Sequence, residues 1–131
     1  MSAEHITAAL LHADPIVAVV GDRVALVELP QDVGYPAIVY NIISDVPQPS
    51  LCEPSASYVA RVQVNPHAAT VAGVLALHAL IHQAMVSYAR RIVAGHALNS
   101  CAFSGRGPWS KDDVTGMFTR AADFRLLYTT Q

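Results

Sequence analysis

Between Arg61 and Arg90 the chain carries no Asp, Glu, Lys or Arg. A tract that apolar has to be hidden from water, and a membrane, a folded core or a neighbouring subunit are the means available. Ala68 to Ala89 has the length of a bilayer span. Against that reading, His78, His82 and Gln83 sit in its middle, and the preceding stretch from Ser57 to Asn65 alternates as a sheet strand does. The tract therefore reads as a strand followed by a long buried helix, and no membrane partner is expected. On a wheel of about 100° per residue, Val71, Val74, Leu77, His78, Ile81, Met85 and Tyr88 gather on one side. Ala72, Gly73, Ala76, Ala79, Gln83, Ala84 and Ser87 take the other. The large face is expected on a sheet, and the small face permits close approach of another backbone, from the first helix or from a second subunit.

The flanking segments supply that sheet. Ser2 caps a first helix with Ile6, Ala9, Leu10 and Ala13 on one face; Asp14-Pro15, as N-cap and first helical residue, restarts a helical segment through Val20, and Gly21 stops it. Arg23 to Leu29 reads as a strand closed by Pro30 and a turn from Gln31 to Gly34. Pro36 opens a second strand, Ala37 to about Val46, and Pro47 and Pro49 lead into a proline-rich loop that ends at Ser57. In the third strand Tyr58, Ala60, Val62 and Val64 form the buried row, and Asn65-Pro66 is expected to end it. Beyond the long helix come a strand around Ala97 to Phe103, a loop from Ser104 to Thr115, and a last strand from about Met117 to Tyr128. Its inward row is Phe118, Ala122, Phe124, Leu126 and Tyr128, broken at Arg120. The expected fold is α+β: a mainly antiparallel sheet packed by an N-terminal helix and one long helix, in the order α, β, β, β, α, β, β. One domain is expected to occupy residues 1–131.

Composition fits such a domain. With 131 residues, 53% hydrophobic and 14% charged, the chain can bury roughly two-thirds of its unfolded surface without a disulfide or metal staple. Its 8 basic residues are scattered and its net charge is −2, so no footprint for sequence-specific nucleic-acid binding is visible. The N-terminus lacks the basic and apolar regions of a secretion signal, a cytosolic origin is expected, and Cys52 and Cys101 are read as unpaired.

No residue pattern warrants catalysis. His78 and His82 have the i, i+4 spacing of two metal ligands, but Ala79 stands where a metalloprotease has Glu, and no third ligand lies at a telling distance. Gly105-Arg106-Gly107-Pro108 lacks the Gly-Lys-Ser/Thr ending of a phosphate loop. Asp112-Asp113 are adjacent in a polar loop and do not face each other as an acid/base pair must. No cofactor and no metal are expected. A pocket at His78 and His82 would instead mark a small cytosolic ligand-binding or metal-binding protein.

Several strings, taken in order, resemble the tail-completion or tail-terminator proteins of long-tailed bacteriophages. They are Val20-Gly21-Asp22-Arg23-Val24, Leu29-Pro30-Gln31, Tyr35-Pro36-Ala37-Ile38-Val39-Tyr40 and Ile43-Ser44-Asp45-Val46-Pro47, then Ala60-Arg61-Val62-Gln63-Val64 before the long helix, and a closing Thr119 to Tyr128. The match spans nearly the whole chain, departing at the Met85 to Ala97 connection and the Ser104 to Thr115 loop. The resemblance implies a structural virion protein at the neck of the tail, made in the host cytoplasm. It also implies a homo-oligomeric ring, usually six-fold, that caps the tail tube, stops its polymerisation and receives the head connector. DNA would be a passenger of the lumen. A related connector or minor tail subunit would share these strings.

Under that reading the loops from Val46 to Ser57 and from Ser104 to Thr115 are the docking surfaces. The candidate interface residues are Leu51 in the first, Arg106, Trp109, Asp112 and Asp113 in the second, and Ala76 and Gln83 on the small helix face. Trp109 is the leading anchor, with a lid over its own core as the competing role.

Overall fold

The charge-free tract folds as a strand, Ser57–Ala68, and a helix, Val71–Met85. The chain is described here from a computed structural model that covers residues 2–29, 34–48 and 57–129. In chain order the elements are α1 (Ser2–Leu11), α2 (Asp14–Val20), β1 (Val24–Leu26), β2 (Ala37–Pro47), β3 (Ser57–Ala68), α3 (Val71–Met85), β4 (Arg91–Val93), β5 (His96–Lys111) and β6 (Phe118–Thr129). The six strands form one sheet in the order β1-β2-β3-β6-β5-β4, with β1 parallel to β2 and every other pair antiparallel. No single described helix is long and apolar enough to cross a membrane.

The alternating rows expected in β3 and β6 set the core. Ala60, Val62 and Val64 lie buried beside Ala122, Phe124, Leu126 and Tyr128. Over them pack Leu77, Ile81 and Met85 of α3, and Ile6, Leu10 and Leu11 of α1. The large face of α3 is thus the expected one, except that Val71 is exposed and Tyr88 lies past the helix end, also exposed. Thr70 caps α3, its Oγ1 accepting the Gly73 N–H at 3.0 Å. At the other end the Arg91 guanidinium donates to the carbonyls of Ala84 (3.2 Å) and Met85, two of the acceptors a helix C-terminus leaves open.

Four local expectations need correction. Asp14 is the first helical residue of α2 and Ala13 its N-cap, so the aspartate meets the helix dipole from inside the first turn. β1 is only three residues long, because Val27 turns to φ 73°. β3 continues through Pro66 to Ala68. Ile38 donates its N–H to Arg23 and not to β3, so the Ile38/Pro66 pair is one of the non-hydrogen-bonded pairs of the β2–β3 ladder. Position 66 therefore directs its absent N–H toward β6, where pairing is interrupted between Val64 and His67. A proline costs the sheet nothing there.

The fourth correction is the largest. The stretch from Ser104 to Thr115 is not a loop: β5 runs on to Lys111 against β6, and only residues 112–117 turn. Gly105 and Pro108, which read as loop punctuation, fall at the register shifts between Phe103 and Gly105 and between Arg106 and Trp109. Bulges absorb them without ending the ladder. The Met85 to Ala97 connection also holds the short strand β4, hairpinned to β5 through Ala94 (φ 52°) and Gly95 (φ 81°).

Candidate assembly interface

Two exposed surfaces stand apart from the core. The first is the outer half of the β5–β6 hairpin. Register places Arg106 opposite Ala122, Trp109 opposite Arg120 and Lys111 opposite Phe118. Directly opposed residues share a face, and Ala122 lies in the buried row, so these side chains stand on the helix-covered face of the sheet. His82 reaches Phe103 with ring centroids 5.3 Å apart, while Trp109 farther along β5 is 40% exposed.

Each cation of this surface lies over an aromatic ring. Arg106 is 4.7 Å from the centroid of Phe103, Lys111 5.3 Å from Phe118 and Arg120 5.5 Å from Trp109. Arg120 is further fixed by its Nε, which donates to the Gly107 carbonyl at 2.7 Å. Asp112 closes the hairpin: its Oδ1 accepts the N–H groups of Val114 (2.8 Å) and Thr115 (3.2 Å), and Asp113 lies exposed beside it. Beneath the surface, burial and then the two arginines lower the affinity of His78 for a proton, against the opposing pull of a hydrogen bond to the Arg120 backbone.

The second surface is helical. Val17 and Val19 of α2 and Val71 and Leu75 of α3 are exposed. Between these helices opens an apolar cleft of about 270 Å³ lined by Val19, Pro36, Ala68, Gly73, Ala76 and Leu80, among others. Gly73 lines it where space is tight, since a Cβ there would meet Ala68 Cβ at 3.0 Å and Thr70 Oγ1 at 3.2 Å. Ala76 lines the cleft and Gln83 is exposed farther along α3.

Of the residues expected at an interface, the structure thus gathers Arg106, Trp109, Asp112 and Asp113 on one hairpin and sets Ala76 and Gln83 on a separate helix. Leu51 and most of the first expected docking loop lie outside the described residues. Sequence reasoning missed Lys111, Arg120, Phe118 and the α2 side of the cleft. The break that Arg120 makes in an otherwise inward row was the available signal. The histidine pair does not converge: His78 is buried and His82 exposed, and among the described residues no three His, Cys, Asp or Glu side chains gather as metal ligands. Cys101 is free and buried, and burial pushes its thiol up to about 12.

The sequence model of the family described as tail completion protein gp17 matches residues 4–129. The chain belongs to that family. As a tail completion protein it is a structural component of a phage-type virion, and the tail is its place there. Among curated proteins no sequence is significantly similar. A solved chain from the virion of a native gene transfer agent particle has the same fold, with a TM-score of 0.75 at 16% identity, covering 97% of this chain and 96% of that one. A second solved chain aligns with a TM-score of 0.58, also at 16% identity, over 100% of this chain and 98% of its own length.

Proposed function

We propose that this tail completion protein, acting as a single terminator-like domain, closes the end of the tail tube as a homo-oligomeric ring, by position and not by catalysis.

 It ends tube polymerisation and presents the surface on which the head connector docks, and DNA passes through the lumen without being read. The observation that carries this reading is the family match over residues 4–129. The two exposed surfaces support it. A closed ring needs a heterologous contact, in which one patch of a subunit meets a different patch of the next. The exposed apolar side of α2 and α3 offers one such patch. The hairpin projects separately and suits the tail tube protein or the connector.

Light scattering over a concentration series, with and without purified tail tubes, tests the ring. The expected result is one closed oligomer, in free solution or on tube ends. A protein that stays monomeric in both settings contradicts it. Val19→Glu combined with Leu75→Glu should abolish the ring and keep the fold, because both side chains already face water in the isolated subunit.

A further inference from the structure

The three cations of the hairpin form a ladder. Lys111 sits at the level of Phe118, Arg120 at its own position, and Arg106 at the level of Ala122. Each level is two residues along β6 from the next, about 7 Å at strand rise. An extended peptide presents the side chains of one face at the same interval, two residues apart. Among the described residues none of the three cations is ion-paired; the ion pair present is Arg61 with Asp123 at 3.9 Å. Each of the two guanidinium groups lies over a ring, and its planar fork of donors matches a carboxylate. The aspartates of the turn bound the ladder at its tip, and Asp112 is already engaged by backbone N–H groups.

We propose that this ladder is the docking surface for an extended segment of a partner protein that carries carboxylates at alternate positions. The segment lies across the face and is not added to the β5 edge, because Pro108 and the two bulges interrupt the donors and acceptors that strand addition needs. A duplex is the weaker fit: the chain carries a net charge of −2, and phosphate-driven binding draws on a wider basic field than three side chains. The inference rests on the tail-closing reading only for the owner of the segment, a neighbouring virion protein.

Trp109 is the single tryptophan of the chain, so its fluorescence reports on this surface alone. The purified protein is titrated with synthetic peptides of equal length, alternating Glu-Ser or alternating Lys-Ser, and with oligothymidylate. The expected result is a saturable change in Trp109 emission with the acidic peptide only, weakening as salt rises. Arg106→Gln and Lys111→Gln are both at exposed positions and should each weaken binding by about tenfold, the effect of losing one charge-assisted contact. No response to the acidic peptide, an equal response to the basic one, or unchanged affinity in both variants overturns the proposal. A stronger response to oligothymidylate assigns the surface to nucleic acid, and a change with protein concentration alone assigns it to a second copy; either result overturns it too. Ring assembly is read separately by light scattering, so loss of one result leaves the other standing.

Discussion

Arg91 caps a helix to which it does not belong. Its guanidinium sits on the Ala84 and Met85 carbonyls, where a positive charge also meets the negative end of the α3 dipole. Arg91→Ala should cost about 1–2 kcal/mol in urea denaturation. An unchanged midpoint would show that solvent satisfies those carbonyls equally well. Cys101 makes a second residue-level case, since a buried thiol raised to about 12 holds almost no thiolate at neutral pH. Mass spectrometry after brief alkylation should find Cys101 unmodified in the folded protein and modified in denaturant. Modification without denaturant would contradict its burial.

His67 and His78 each contribute to the response to acid. Burial is the leading cause that lowers the pKa of each. Asp112 opposes this at His67, and the Arg120 backbone opposes it at His78, where Arg106 and Arg120 add to the lowering. A group whose folded pKa lies below its unfolded value of about 6.5 is protonated first in the unfolded chain. Its neutral folded form is unpenalised above that pH, and stability is lost as pH falls toward the folded pKa. The melting temperature should therefore decline below about pH 6.5, and a His67→Gln, His78→Gln double variant should show a shallower decline. A parallel decline in both proteins would place the acid sensitivity elsewhere.

At the scale of elements, β6 is the central ladder partner, flanked by β3 and β5. Phe124 is 1% exposed within it, so Phe124→Ala should destabilise by about 3–5 kcal/mol through lost burial and the cavity left behind. A variant melting within a degree or two of the parent would contradict that packing. Trp109→Ala should behave differently: Trp109 touches Arg120 at the surface, and its loss should cost about 1 kcal/mol or less. A larger loss measured by thermal melting would make Trp109 a lid of the core.

The elements that were legible in the sequence have one wet and one dry face. The rows of β3 and β6 and the large face of α3 announced themselves because burial differs between their two sides. The outer half of β5 was not legible, since Gly105, Gly107 and Pro108 are turn formers locally and are held extended only by a partner strand in β6. Pro66 was misleading for a similar reason: which side of β3 needs its N–H depends on the register of two other strands. The candidate site divided in the same way. Trp109 and Arg106 were legible as exposed types in a polar stretch, whereas Lys111, Phe118 and Arg120 joined them only through pairing across the hairpin.

For the whole molecule, the arrangement separates two kinds of contact. The core holds the sheet against α1 and α3, the α2–α3 side exposes apolar surface, and the cationic hairpin stands apart from both. A subunit built this way can meet its own copies through one surface and a different protein through another, as the proposed closure of the tube requires. The most direct measurement is electron cryo-microscopy of assembled tails that contain this protein. The account predicts a closed ring at the head-proximal end of the tube, with α2 and α3 in the contact between subunits. A single copy, an open array, or a position at the distal end of the tail would contradict it.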